Sequence, residues 1–203
     1  PLQTLLKAGI SDILVITAPE HAGDYLKYLG SGQEFNARFT YEIQEEPKGL
    51  AQALGMAERF AQGQNVAMIL GDNIFEDDFV EPVRSFTSGA MIFVKEVSDP
   101  ERFGVVELGE HNKVLSIQEK PKKPKSHFAQ TGLYVYDNTV FARIKKQTPS
   151  ARGELEITDL NNSYLRDGLL TAAVVTGEWI DAGTFDSLLK ASNFVAKKTN
   201  SKD

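Results

Sequence analysis

The sequence predicts an α/β domain whose doubly wound, mainly parallel (Rossmann-like) sheet carries a second, antiparallel layer. Three observations predict this class. In the first half, short apolar runs alternate with helix-like segments, as in doubly wound sheets. Those runs are continuously apolar, which is typical of strands buried on both faces. In the second half, short strand-like runs follow one another through brief polar connections, which favours antiparallel pairing.

The elements are justified in chain order by hydrophobic periodicity and by residues that end helices. An apolar stripe that ends at Gly9 predicts a first helix, and a strand follows at 12–17. The first half then continues with helix 21–29, strand 39–43, helix 49–61, strand 66–70, helix 77–86 and strand 90–97. The second half comprises strands 104–108, 114–118 and 130–136, helices 137–146 and 154–166, strands 171–176 and 178–180, and a last helix after Thr184 that frays over 197–203.

Length and composition restrict the class of protein. A chain of 203 residues fits one domain, 1–203, with a sizeable core. The absence of cysteine excludes a disulfide framework, a thiolate metal site and a cysteine nucleophile, and it fits a cytoplasmic location. The net charge of −6 disfavours a nucleic-acid surface. With apolar runs too short to span a bilayer, neither nucleic acid nor membrane is expected as a partner.

Two predicted strands end on an aspartate. The run 66–70 stops on Gly71-Asp72-Asn73, and the strand 178–180 leads directly to Asp181. In open α/β sheets, the edge formed by the carboxyl ends of the strands binds ligands. Two carboxylates at that edge could hold Mg²⁺, which prefers carboxylate and phosphate oxygens. The alternative is that both aspartates belong to ordinary turns, in which Gly, Asp and Asn are favoured.

Two further segments combine polar side chains with a strand end. Gln44 ends a strand, and Gly49 stands at the start of the next helix, where backbone N–H groups are free. A Gln side chain offers a donor and an acceptor that match the imide edge of thymine or uracil. Glu119 could accept hydrogen bonds from sugar hydroxyls, while Lys120 could meet a phosphate. An ordinary helix start and a solvated strand end are the alternatives.

Together these segments resemble the sugar-1-phosphate nucleotidyltransferases, and most closely the thymidylyltransferases among them. The segments that carry the resemblance include QEEPKGLAQA, LGDNIF, DPERFGVVE, QEKPKKPKS, TGLYVYD, PSARGELEITDLNNSYL and WIDAGT. Each is short, but their order and content along nearly the whole chain are specific. The resemblance implies a Mg²⁺-dependent enzyme that forms dTDP-glucose and pyrophosphate from dTTP and glucose 1-phosphate, for the synthesis of rhamnose and other surface sugars.

The resemblance implies a role for the residues at the nucleotide end of the site. Asp72 and Asp181 correspond to the catalytic pair that binds the metal, and Asp72 also belongs to the nucleotide site. Gln44 corresponds to the residue that pairs with the pyrimidine base. Gly49 corresponds to the position where the base lies against the backbone.

The resemblance also implies a sugar-phosphate end of the site. Gly104 corresponds to the position where the hexose approaches the main chain. Glu119 and the catalytic Lys120 correspond to the contacts with the hexose and its phosphate. Gly132 and Trp179 correspond to the wall of the sugar pocket.

The sequence departs from the family in three respects. The Gly-rich segment G-G-x-G-T-R-L, which wraps the triphosphate, does not occur, so the domain is expected to be N-terminally incomplete and the chain alone weakly active or inactive. Phe103 replaces a frequent Tyr, which removes a hydroxyl near the sugar. Gln130 replaces a commonly apolar residue, which leaves the choice of hexose open.

Other functions remain open. Gln44 fits either pyrimidine, so UTP or another sugar phosphate is the first alternative. A non-catalytic nucleotide-sugar binding remnant is a second, and a metal-dependent glycosyltransferase is a weaker third because it does not account for QEEPKGLAQA and WIDAGT together. A homo-oligomer is expected.

Overall fold

The structure is a computed structural model that describes residues 1–200 of the chain. The helices are α1 (Leu2–Lys7), α2 (Pro19–Leu29), α3 (Leu50–Met56), α4 (Glu58–Ala61), α5 (Val80–Ser85), α6 (Val140–Ile144), α7 (Ile157–Arg166) and α8 (Phe185–Asn200). The strands are β1 (Asp12–Thr17), β2 (Arg38–Ile43), β3 (Val66–Ile69), β4 (Asn73–Phe75), β5 (Ala90–Glu96), β6 (Gly104–Leu108), β7 (Val114–Glu119), β8 (Phe128–Tyr136), β9 (Leu170–Val174) and β10 (Trp179–Asp181).

The main sheet is mixed and is organised around the long strand β8. Its strands run in the order β7-β6-β8-β5-β9, and β3 also pairs with β8. The pair β5/β9 is parallel, whereas β8 is antiparallel to β3, β5 and β6. The predicted α/β class is confirmed. The antiparallel strands of the second half are hydrogen-bonded into the same sheet as β3 and β5 because β8 provides partners on both of its edges.

Both faces of the main sheet are covered, as doubly wound folds require. One face packs on α3, α6 and α7, and its fully buried side chains include Tyr136 and Tyr164. The Tyr136 hydroxyl donates to Asn161 Oδ1 at 2.7 Å, so this buried polar group has a partner. The opposite face packs on α5 and on Trp179 of β10, through residues such as Phe93.

The strands β1 and β2 form a separate parallel pair. Leu5 of α1, Ile13 of β1 and Phe39 of β2 are the buried members of its apolar cluster, against which Ile69 of β3 packs. Among residues 1–200, β1 pairs with β2 alone and β3 with β8 alone. Each of these two strands therefore has one edge without a strand partner in this part of the chain.

Several boundaries differ from the predicted ones. The helix expected over 49–61 is divided at Ala57, whose ψ of −2° departs from helical geometry. The helix expected from residue 77 begins at Val80, because the Asp77 carboxylate accepts hydrogen bonds from the backbone N–H groups of Thr176 and Gly177. The helix α8 continues to Asn200, and the part of the predicted fraying at 201–203 lies outside the described residues.

Within residues 1–200, none of the helices has the length and the apolar character needed to cross a lipid bilayer.

Candidate active site

The two predicted aspartates lie side by side. The strands β4 and β10 pair antiparallel, with Asn73 opposite Asp181, and the backbone N–H of Ala182 donates to the carbonyl oxygen of Asp72 at 2.8 Å. A Cβ atom on Gly183 would stand 3.0 Å from Asp181 Oδ1 and 3.6 Å from Asp72 Oδ2. The short ribbon formed by β4 and β10 therefore brings both carboxylates to one point, although they are far apart in sequence.

The acidic pair has the composition of a magnesium site. Mg²⁺ is usually held in proteins by one or two carboxylates, with substrate phosphates and water as further ligands. Asp72 Oδ1 accepts a hydrogen bond from Asn73 Nδ2 at 2.8 Å, and Asp181 Oδ1 accepts one from the Gly183 N–H at 3.0 Å. In residues 1–200 no group of three or more His, Cys, Asp or Glu side chains is arranged to hold a metal. The donor set fits a cation that is shared with a substrate.

Asn73 is a site residue that sequence reasoning missed, because its local pattern is that of a turn. Its backbone N–H does bond to the Leu70 carbonyl at 3.2 Å, so the turn exists. Its side chain is only 2% exposed, and its Oδ1 accepts from the Gly132 N–H at 2.8 Å and from Trp179 Nε1 at 2.7 Å. One amide thus joins Asp72, Gly132 and Trp179.

The contact with Asn73 accounts for the glycine at position 132. A Cβ on Gly132 would stand 2.6 Å from Asn73 Cγ and 2.7 Å from both terminal amide atoms. Trp179, in turn, is buried, and its ring centroid lies 5.3 Å from that of Phe103. The indole and the Phe103 ring therefore form one aromatic wall beside the acidic pair.

Glu119 and Gly104 meet at the sheet edge formed by β6 and β7. They are directly opposite each other in the ladder, and Glu119 Oε2 accepts from the Thr158 hydroxyl at 2.6 Å. A Cβ on Gly104 would stand 3.2 Å from that hydroxyl oxygen and 3.4 Å from Glu119 Oε2. Glycine at 104 therefore leaves room in front of the carboxylate. Thr158, at the start of α7, was not predicted.

Lys120 and Arg152 supply positive charge beside Glu119. Lys120 has a left-handed backbone with φ of 41°, and its N–H donates to the Phe103 carbonyl at 3.0 Å. Arg152 Nη2 lies 2.8 Å from Glu156 Oε2 and 4.0 Å from Glu119 Oε1. Burial raises the pKa of the Glu156 carboxyl, but hydrogen bonds from Arg152 and Ser150 and the charges of Arg152 and Lys120 lower it overall. Arg152 was not predicted either.

The buried Tyr134 connects the two groups of residues. Burial raises the pKa of its hydroxyl, and the negative charges of Glu119 and Asp72 raise it further. Both carboxylates therefore act on the same buried phenol from their separate positions. The acidic pair and the cluster of Glu119 and Lys120 belong to one continuous site.

Gln44 and Gly49 lie at the other end of the site. Gln44 Nε2 donates to Gln52 Oε1 on α3. Gly49 has φ of 103°, and a Cβ there would stand 2.5 Å from the carbonyl oxygen of Leu155. Packing against Leu155 therefore already requires glycine at this position. Its predicted role beside a base stays a prediction.

A cavity joins this end to the acidic pair. Its volume is about 820 Å³, and Leu50 at the start of α3, Asp72, Ala182 and the α8 residues Leu188 and Ala191 are among its lining residues. A space of this size holds a small-molecule ligand. A ligand in it would contact both the first turn of α3 and the acidic pair.

A mixed α/β sheet with two carboxylates between a ligand-sized cavity and two cationic side chains defines a protein that handles phosphorylated small molecules. Comparison with known families is more specific. Residues 1–198 match the family model described as nucleotidyl transferase. The chain therefore belongs to the nucleotidyl transferase family, and the predicted enzyme class is confirmed.

The chain is similar over most of its length to curated glucose-1-phosphate thymidylyltransferases. It is 47% identical over 206 residues to that of Neisseria meningitidis serogroup A, an alignment that covers 98% of this chain and 72% of the relative. It is 47% identical over 200 residues to that of Mycolicibacterium smegmatis, which covers 96% of this chain and 69% of the relative.

Solved structures agree. A Bacillus anthracis protein described as a glucose-1-phosphate thymidylyltransferase, crystallised with sucrose, matches with a TM-score of 0.90 and 49% identity over 95% of this chain and 79% of that one. A UDP-glucose pyrophosphorylase with UDP-glucose matches with a TM-score of 0.83 at 21% identity, over 97% of this chain and 85% of that one, which shows the shared fold.

Proposed function

We propose that this chain belongs to a Mg²⁺-dependent glucose-1-phosphate thymidylyltransferase, which forms dTDP-glucose and pyrophosphate from dTTP and glucose 1-phosphate. The observation that carries the proposal is the approach of the Asp72 and Asp181 carboxylates, between a cavity that reaches α3 and the cluster of Glu119 and Lys120. The names of the relatives supply the substrates. The product serves the synthesis of rhamnose and other surface sugars.

The chemistry requires positioning and charge neutralisation. The attacking group is an oxygen of the sugar phosphate, which is already anionic near neutral pH, so no general base is needed. Bringing two anions together in line is the main difficulty, and oriented cations reduce it. When bound, Mg²⁺ on Asp72 and Asp181 would neutralise charge on the reacting phosphates. Lys120 and Arg152 lie beside Glu119 and would hold the sugar phosphate.

The remaining residues bind and orient the substrates. Gln44 would pair with the imide edge of the base, and Gly49 would let the base approach the first turn of α3. Glu119 would accept hydrogen bonds from the hexose, for which Gly104 leaves room. Gly132 and Trp179 would close the sugar pocket from the side of the acidic pair, where Trp179 stacks on Phe103.

Three further proposals concern the protein as a whole. We propose a cytoplasmic location, which the nucleotide substrate and the absence of cysteine support. Homo-oligomer formation is supported by apolar side chains that face solvent, such as Tyr28 and Phe185, which are 74% and 93% exposed. Low turnover by these 203 residues alone is supported by the strand edges of β1 and β3 that have no partner within residues 1–200.

The base remains the least determined part of the proposal. Thymine and uracil share the imide edge that Gln44 would recognise, so UTP is the alternative nucleotide. Competition between dTTP and UTP for turnover discriminates the two. A preference for UTP would replace the thymidylyltransferase proposal by the uridylyl one and leave the roles of the acidic pair unchanged.

The test is pyrophosphate release from dTTP and glucose 1-phosphate with Mg²⁺. The chain is compared with a version extended upstream by the family's Gly-rich segment, and Asp72→Asn and Asp181→Asn are made in the extended version. Asp24→Asn, an exposed carboxylate on α2, is the matched control. We expect turnover in the extended version that both site variants abolish and the control retains. A folded extended version that binds dTTP without turnover would support the binding remnant instead.

A further inference from the structure

The amide of Asn73 is held in one orientation by three partners. Its Oδ1 receives two N–H groups, from Gly132 at 2.8 Å and from Trp179 Nε1 at 2.7 Å, while its Nδ2 faces Asp72 Oδ1 at 2.8 Å. Backbone and indole N–H groups can only donate, and an ionised carboxylate can only accept. The network therefore fixes which amide atom is oxygen and which is nitrogen.

We propose that Asn73 is a positioning residue that holds the Asp72 carboxylate and the Trp179 indole as one unit, so that metal binding at Asp72 is felt at Trp179. This rests on the proposed function, because it takes Asp72 as a metal ligand and Trp179 as part of the sugar pocket. No other residue in the described part of the chain makes hydrogen bonds to both side chains.

The environment of Asn73 supports a role beyond filling space. Its side chain is 2% exposed, so each of its bonds is made away from water. Residues that hydrogen-bond to metal ligands orient them, and their loss typically lowers metal affinity or activity by about 10- to 100-fold. The backbone of Asn73 pairs with Asp181 in the ladder, and an alanine at this position would keep that pairing. The side chain can therefore be tested separately from the ribbon.

Trp179 provides the readout, because it is the only tryptophan in the chain. The variant is Asn73→Ala. The matched control is Asn161→Ala, which removes another buried amide whose partners are Tyr136 and Gln130. Metal-free emission and its quenching by acrylamide report on the indole. Mn²⁺ binding is measured by electron paramagnetic resonance, and Mg²⁺, which does not quench, is titrated against Trp179 emission.

In the wild type, we expect Mg²⁺ to shift Trp179 emission with the midpoint at which it displaces Mn²⁺. In Asn73→Ala, we expect altered metal-free emission, a Mn²⁺ dissociation constant raised by about tenfold or more, and no response of the emission to Mg²⁺. The control should retain the wild-type affinity and response. Should Asn73→Ala fail to fold, the wild-type titration decides by itself.

Two results would overturn the inference in distinguishable ways. If the wild type binds no Mn²⁺, or if Asp181→Asn binds it equally well, the metal pair of the proposed function is rejected and the role of Asn73 with it. If the wild type binds Mn²⁺ but its Trp179 emission ignores Mg²⁺, or if Asn73→Ala keeps the wild-type affinity and response, only the role of Asn73 is rejected.

Discussion

Replacing Gly132 by alanine should destabilise the fold through the side chain of Asn73. The added Cβ would stand 2.6 to 2.7 Å from three amide atoms of Asn73, closer than real Cβ contacts, so the amide must move. Overpacking of this kind costs about 1–3 kcal/mol. The displaced amide would also leave buried donors such as Trp179 Nε1 unpaired, at about 1–3 kcal/mol each. We therefore expect a loss of about 3–5 kcal/mol in the free energy of unfolding.

Urea unfolding followed by far-ultraviolet circular dichroism measures this loss. Gly23→Ala is the control, because a Cβ at this position in α2 meets nothing within 4 Å, and it should stabilise the protein by about 0.5–1 kcal/mol. In an Asn73→Ala background the added methyl group has space, so Gly132→Ala should cost little more there. A single variant within about 1 kcal/mol of the wild type, or costs that simply add in the double variant, would refute the reasoning.

Three other variants test separate parts of the molecule. Gly49→Ala should cost about 3 kcal/mol in unfolding free energy, because left-handed strain and a backbone contact combine, whereas Gly63→Ala, with similar strain and open space, should cost about 1 kcal/mol; equal costs would be contrary to this. Burial raises the pKa of Asp137, but hydrogen bonds from groups such as Thr139 lower it overall, so its stabilisation is present above about pH 4 and is lost as the pH falls through its lowered pKa. Asp137→Asn should flatten the acid limb of stability against pH, and an unchanged limb would contradict the assignment. In the active extended protein, Lys120→Ala should raise the KM for glucose 1-phosphate about tenfold while the KM for dTTP stays unchanged, and equal effects on both would place Lys120 elsewhere.

The acidic pair illustrates what local sequence could and could not predict. Asp72 and Asp181 were identifiable because each follows an apolar run and stands at a strand end, where ligands bind. Their approach depends on the pairing of β4 with β10, and β4 was not expected as a strand. A three-residue strand has too short a pattern to be predicted, and it forms because β10 supplies its partner.

Asn73 and Gly49 show the opposite limit. The sequence around Asn73 is that of a turn, and the backbone does make one, but the bonds of its side chain reach 59 and 106 residues along the chain. Gly49 could be predicted as the start of a helix. The reason that it must be glycine, the Leu155 backbone, becomes visible only when α3 and the segment before α7 are packed together.

The sequence by itself determined the α/β class, the approximate order of helices and strands, and the resemblance that points to nucleotidyl transfer, because periodicity, turn chemistry and short motifs are local properties of the chain. Only the tertiary structure decided the mixed direction of the sheet around β8, the meeting of Asp72 with Asp181, and the amide that ties them to Trp179. Each of these depends on contacts between residues distant in sequence, whose pairing is selected by the burial and hydrogen bonding of the whole domain rather than by any one segment.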